Sequence, residues 1–325
     1  MTTRVETRPL GEEDLASSAR LLARRHQGHR TAQPLLAPRF EDPATCEVEL
    51  AAAWKADGAS GAVALRGGEI VGFLLGAPKG GTLWGPNVWV EAVGQAAEEP
   101  EVLRDLYALA AARWVEEGRT AHYVLVPAHD RAVLRAWCRL GFGEQQAHGL
   151  RAVPTAPVGR PAAAGVVVRP ARREDIPMLA RLELELPRHQ GLSPTFSPGD
   201  AGTLEETVAE WEEDFGDEDL GVFVAERQGE VVGCVIGCPV TRSSAHAGLA
   251  RPDDAGLLSF AAVLPSARGL GVGRTLGEAV LGWTVERGFA CVAVDWRTTN
   301  LLSSRTWPAL GFEESFLRMH RLIGF

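Results

Sequence analysis

Lysine is almost missing from this chain: only Lys55 and Lys79 occur in 325 residues, and the other 31 of the 33 basic residues are arginines. That bias reads as genomic base composition. Basic charge is also in deficit, with a formal charge of −9. This argues against a nucleic-acid partner, because affinity for a phosphate backbone rests on clustered Lys and Arg. No apolar run approaches the ~20 residues of a membrane span, and the start MTTRVETRPLGEEDL has no apolar signal core. A cytoplasmic location with no membrane partner is therefore expected. Cysteines are few, at positions 46, 138, 234, 238 and 291. They are odd in number and lack the paired close spacing of a zinc site, so no metal is expected and buried thiols are the simpler reading. Cys234 and Cys238, four apart on a predicted strand, would share one face.

What is present in plenty is apolar content, 46% of residues, enough for two cores in a chain long for one compact domain. The halves can be laid on each other. Arg8-Pro9 with Glu13-Asp14 recurs as Arg169-Pro170 with Glu174-Asp175, and GEIVGFLLGAP at 68–78 recurs as GEVVGCVIGCP at 229–239, both offset by 161. Leu140-Gly141-Phe142 recurs as Leu310-Gly311-Phe312, offset by 170, so the second copy carries nine extra residues around SSAHAGLARPDDA. The reading is a tandem repeat: 1–150, a Pro/Ala/Gly-rich linker at 151–165, and 166–325. Each copy scans as two helices, a hairpin, then strand, helix, strand, helix and a closing strand. The predicted class is α/β (α+β), with a mostly antiparallel mixed sheet flanked by helices in each copy.

The most telling stretch is LLSFAAVLPSARGLGVGRTLGEAVLG at 257–282. It reads as a strand, a glycine turn and a helix N-terminus. Glycines at 269, 271 and 273 remove Cβ atoms where backbone approaches a ligand, and the N–H groups of the first helical turn then point at an anion. A phosphate or pyrophosphate is the expected ligand. A P-loop fails because Gly273 is followed by Arg274 and Arg268 stands at the first glycine position. A dinucleotide fingerprint starting at Gly271 fails at Leu276. A turn that merely tightens a strand-to-helix connection is the alternative.

Arg268, Gly271 and Gly273 do resemble the Arg/Gln-x-x-Gly-x-Gly/Ala pyrophosphate loop of the GNAT superfamily of N-acetyltransferases. About 30 residues downstream, Asn300, Ser304, Trp307, Gly311 and Phe312 match that family's second run of residues. The resemblance implies acetyl-CoA (coenzyme A) as cofactor. Backbone of Leu258, Ala261 and Val263 would hold the pantetheine arm where two strands splay. Arg268, Gly269, Leu270, Gly271, Val272, Gly273 and Arg274 would hold the pyrophosphate, with Asn300, Ser303 and Trp307 nearby. Arg274 can equally be a solvent-facing residue of the first turn.

Attack of an amine on a thioester needs a proton acceptor. Asp295, tucked among Val294, Trp296 and Trp307, is one candidate; an ion pair with Arg297 or Arg305 is the plainer alternative. His246, Asp253 and Asp254 are weaker candidates. Where the family often has a Tyr to protonate the thiolate, this chain has Trp307, whose indole cannot supply that proton. Ser303, Ser304 or water would do so, or the protein is a non-catalytic acyl-CoA-binding sensor.

Nine acids and no Lys or Arg lie between Thr203 and Ala225. They would attract a cationic amine, or merely solvate an exposed helix. The acceptor expected is an amine of a small molecule or peptide. In the first copy the glycine turn is gone, Glu98, Glu99 and Glu101 stand at the phosphate position, and Asp130 replaces the Asn. Residues 1–150 therefore read as a degenerate copy, serving as scaffold or acceptor-site cap, in a monomer or homodimer.

Overall fold

A computed structural model describes residues 4–81, 83–153, 163–197, 199 and 202–324. Most of the expected linker, 154–162, lies outside the described residues. The first copy forms β1 (Val5–Pro9), α1 (Leu15–Ala32), α2 (Pro43–Trp54), β2 (Ser60–Arg66), β3 (Glu69–Gly76), β4 (Asn87–Val90) and β5 (Gln95–Ala97). It continues with α3 (Val102–Glu116), β6 (Ala121–Pro127), α4 (Arg131–Arg139) and β7 (Gly143–Ala152). The second copy follows the same order: β8 (Val166–Pro170), α5 (Ile176–Gly191), α6 (Leu204–Asp214), β9 (Gly221–Arg227), β10 (Glu230–Pro239) and β11 (Ala255–Val263). Then come α7 (Val272–Glu286), β12 (Cys291–Arg297), α8 (Leu301–Ala309) and β13 (Glu313–Leu322).

The repeated Arg-Pro…Glu-Asp signature has a structural cause. Arg169 donates from NH1 and NH2 to both carboxylate oxygens of Asp175, at 2.7 and 2.9 Å, and Asp175 also accepts from the Arg172 N–H at 2.7 Å. That charge-assisted bond holds the Asp175 carboxyl below its ordinary range. Arg8 and Asp14 repeat the arrangement at 2.6 and 2.7 Å. The hairpin turns repeat too. Gln228 and Gly229 have φ of 55° and 83°, and Gly67 and Gly68 have 62° and 89°, as a two-residue type I′ turn demands.

The chain divides into two compact units. The second, His148–His246 with Pro252–Glu313, takes in the later half of β7 beside β12 and continues β11-β10-β9-β8, with β12 and β11 parallel and β11, β10, β9 and β8 antiparallel in turn. Ile176, Leu179, Leu182 and Trp211 of α5 and α6 pack on Val224, Cys234 and Ala262. On the opposite face lies α7, with Val272, Leu276, Val280 and Trp283 buried at helical spacing.

The first unit runs to Ala147 and takes in Ala247–Arg251 and the chain from Glu314 onward. It holds an antiparallel sheet β1-β2-β3-β5 and a ladder β4-β6-β13. The expectation that the last strand closes the second copy is corrected here: β13 pairs antiparallel with β6, from Phe316↔Pro127 to Leu322↔Ala121. Phe316 is fully buried, and the Ser315 carbonyl accepts from the Ala128 N–H at 2.9 Å and lies 2.8 Å from His29 Nε2. Of the five thiols, Cys46, Cys234, Cys238 and Cys291 are buried and Cys138 is exposed.

Candidate active site

Strands β11 and β12 run in parallel register from Ala255↔Cys291 to Leu258↔Val294. Beyond that, β11 follows β10 alone among the described residues. The cause is a bulge. Gly237 faces Leu258 and Ile236 faces Phe260, which leaves Ser259 as the extra residue, its hydroxyl donating to the Ile236 carbonyl at 3.2 Å. A bulge bends its strand, and here the bend opens a fork bordered by Ala261 and Val263 on one side and Asp295 on the other.

The faces of this fork follow from glycines. A Cβ at Gly233, Gly237 or Gly256 would strike Leu276, Trp283 or Thr284, so these positions face α7. Cys234, Ile236, Phe260 and Ala262 face α5 and α6. By the two-residue period, Val292, Val294 and Trp296 share the α7 face and Asp295 the other. Trp307 lies on the α7 face, since a Cβ at Gly277 would meet its ring at 3.1 Å. The expected nest of Val294, Trp296 and Trp307 around Asp295 is therefore corrected. The half-buried carboxylate looks toward α5 and α6, while Trp307 is a buried packing residue between α7 and α8.

After β11, Gly269 and Gly271 take φ of 77° and 81°, and Gly271 is the N-cap of α7. These left-handed values favour glycine. A Cβ on Gly269 would meet nothing within 4 Å, and one on Gly273 would reach only Val263 at 4.0 Å. Among the described residues the space beside Gly269 and Gly273 is open, while a Cβ on Gly271 would lie 3.2 Å from Ala163. Helix geometry gives the Val272 and Gly273 N–H groups no acceptor within α7. Leu270 is exposed, and Arg274 sits 3.9 Å from Glu278 one turn on. Asn300 caps α8 by accepting from the Leu302 N–H at 3.2 Å, and its carbonyl accepts from the Ser303 and Ser304 hydroxyls at 3.1 and 2.9 Å.

Arg268 is turned toward α5, where its NH2 donates to Glu185 at 2.8 Å and its NH1 to His189 Nδ1 at 3.3 Å. Its Nε–H donates to the Val263 carbonyl at 3.2 Å. Neither Glu185 nor His189 was singled out from the sequence, although the spacing of four on one helix face was visible. Glu183 was missed as well. Burial pushes its carboxyl up, helped by Glu210 and Asp214, although Trp211 Nε1 donates to it at 2.6 Å. Among the weaker candidates, His246 is buried with Nδ1 3.2 Å from the Ser243 hydroxyl, and Asp254 takes φ of 46°.

In the first unit the corresponding place is filled by the chain itself. The fourth strand is split into β4, parallel to β6, and β5, paired with β3. Arg25 donates to the Ala92 and Gln95 carbonyls at 2.7 and 2.5 Å, its pKa lowered by burial to about 10. Gln95 Nε2 reaches the Leu125 carbonyl at 2.7 Å and Trp137 Nε1 donates to Gln95 Oε1 at 3.0 Å. At the head of α3, Glu98 pairs with Arg24 and Glu99 with Arg66, at 3.0 and 2.9 Å. Glu101 lies 3.8 Å from Arg139. Asp130 caps α4 as Asn300 caps α8.

Residues 188–312 match the model of the acetyltransferase (GNAT) family. The match spans 125 of the 325 residues. Over the whole chain the GNAT fold is shared with solved structures. A GCN5-related N-acetyltransferase from Sphaerobacter thermophilus is 14% identical, with 99% of this chain and 97% of that chain covered and a TM-score of 0.58. The glucosamine N-acetyltransferase region of a fungal multi-domain beta-N-acetylglucosaminidase is 14% identical over 98% of this chain and 38% of that one, with a TM-score of 0.52. A sequence search of the curated proteins finds no match. Among the described residues, no helix is long and apolar enough to cross a membrane.

Proposed function

We propose that the second unit transfers an acyl group from acetyl-CoA, or another acyl-CoA, to a primary amine of a small molecule or peptide. The observation that carries this reading is the fork opened by Ser259, leading into a loop of left-handed glycines with space beside Gly269 and Gly273 among the described residues. Backbone groups of Leu258, Ala261 and Val263 suit the amides of a pantetheine arm. The Val272 and Gly273 N–H groups, with Arg268, Gly269, Leu270, Gly271 and Arg274, suit a diphosphate. Asn300, Ser303 and Trp307, in the turn and helix that follow β12, complete the proposed set. The first unit, with its fork filled by Arg25 and Gln95 and acids at the helix head, suits a supporting role without cofactor.

Bound acyl-CoA supplies the activated thioester. Asp295, the first residue beyond the last paired position of β12, takes the proton of the acceptor amine; Glu183, on the same face and held above the ordinary carboxyl range, is the second proton acceptor to test. Ser304, or water, returns a proton to the departing sulfur. Arg173 and Arg242 pair with Glu212, Asp217 and Asp219. Two arginine charges are therefore shared among three of the nine acids, and the reading commits to an amine without requiring a second positive charge.

The test is incubation of the full chain with acetyl-CoA and a panel of cationic and neutral amines, titrating free thiol. Release above hydrolysis with one amine class supports the transfer. Binding of coenzyme A without thiol release favours the acyl-CoA sensor, for which the replacement by Trp307 is the specific observation. Absence of binding overturns both.

A further inference from the structure

Three protein acceptors from two elements grip the Arg268 guanidinium: the Val263 carbonyl at the end of β11, and Glu185 and His189 on α5. Glu185 and His189 are four residues apart and so lie on one helix face, one turn above the other. Both partners of the ion pair are largely shielded, with 24% and 20% of their side-chain surface exposed. Because His189 Nδ1 accepts from an arginine, which can only donate, the neutral ring carries its proton on Nε2, which faces Asn300 Oδ1 at 3.5 Å. A continuous chain thus runs Glu185, Arg268, His189, Asn300, from α5 through the glycine loop to the cap of α8.

A guanidinium has five N–H groups. Three are used here among the described residues, which leaves one on each terminal nitrogen for an incoming oxygen. A free arginine on a loop would lose rotamer freedom on binding a ligand. This one is already ordered.

We infer that Glu185 and His189 are positioning residues for acyl-CoA: they act on the diphosphate only through Arg268, by fixing the plane of its guanidinium. The inference rests on the acyl-CoA reading above. A carboxylate near a diphosphate would by itself repel it. Removing Glu185 therefore has opposite signs in the two cases: weaker binding if it positions Arg268, tighter binding if it only competes for it.

The experiment is a double-mutant cycle on the full chain, measuring coenzyme A affinity by calorimetry for the wild type, Glu185→Gln, Arg268→Ala and the double variant. Glu185→Gln is expected to weaken binding roughly tenfold, as loss of one charge-assisted bond should, and to have no further effect once Arg268 is Ala. His189→Ala, which leaves the ion pair in place, should weaken binding several-fold. With acetyl-CoA and an accepted amine, both single variants should raise KM for acetyl-CoA with kcat within about twofold. Additive losses in the cycle, or tighter binding by Glu185→Gln, overturn the inference while the acyl-CoA reading stands. No binding by the wild type overturns that reading and the inference with it.

Discussion

Gln95 Nε2 donates to the Leu125 carbonyl at 2.7 Å and ties the fourth strand of the first copy to its fifth. By strand register Gln95 is the counterpart of Ala261, since Leu74↔Gln95 matches Val235↔Ala261, and Leu125 is the counterpart of Asp295, each following the last parallel pair. One copy therefore closes with a side chain the place that the other leaves open.

A transplant follows from this equivalence. Ala261→Gln should place an amide across the open fork of the second copy and lower coenzyme A affinity at least ~tenfold, while the thermal midpoint changes little, because Ala261 is only half-buried. The reverse change, Gln95→Ala, strands the Trp137 indole N–H and the Leu125 carbonyl in a buried setting and should cost about 2–4 kcal/mol. Calorimetry and urea unfolding separate the two outcomes.

Acid should loosen the first unit through its buried histidines. Burial keeps His26 and His29 neutral, with pKa values lowered to about 4 and about 2 from an ordinary 6.5. Arg25 adds to the effect at both rings, and the stacked His129 at His29. As pH falls below 6.5 the unfolded chain takes up these protons and the folded chain does not, so stability drops. The slope approaches about 1.4 kcal/mol per pH unit for each histidine between pH 6 and 5. Urea midpoints across pH 5–7 test this; His26→Phe should flatten the slope by one histidine, whatever it does to stability at pH 7.

What was legible in the sequence was local. The glycine loop and the repeats of Arg-Pro with Glu-Asp and of the hairpin sequence each depend on residues within a few positions; that Asn300 caps α8, that the hairpins turn as type I′ and that Arg169 grips Asp175 came from the structure. The destination of β13 was not legible, because the alternation in EESFLRMHRL is the same whichever strand it joins. The face of Asp295 depends on the register of β12 against β11, which no spacing within VAVDWR reveals. Arg25, Glu185 and His189 act over 67–83 residues, on partners that ordinary helix patterning does not announce.

Loss of the C-terminal strand should be felt by the first unit. Deleting the chain from Glu313 onward removes the strand partner of β6, the Phe316 side chain and the Ser315 carbonyl beside His29. The expected result is early exchange of the β6 amides, Ala121–Pro127, in hydrogen-exchange mass spectrometry. Unchanged protection of β6 would contradict the pairing of β13 with it.

Two alanines in the glycine loop should behave differently, and the contrast tests whether its amides face a ligand. Gly271 has φ of 81°, so Gly271→Ala strains the backbone by about 1–2 kcal/mol, and its Cβ would also press on Ala163 at 3.2 Å. Both stability and coenzyme A affinity should fall. Gly273 lies within α7, where Ala is the better helix former by about 1 kcal/mol, and its added Cβ would approach only Val263, at 4.0 Å. Gly273→Ala should therefore leave the protein as stable or slightly more so and, since the loop pattern it resembles accepts Ala at this place, leave coenzyme A affinity within a few-fold. Thermal unfolding read beside calorimetry decides the matter: a Gly271→Ala chain that is destabilised yet binds coenzyme A undiminished would mean that the loop turns the chain and holds no phosphate.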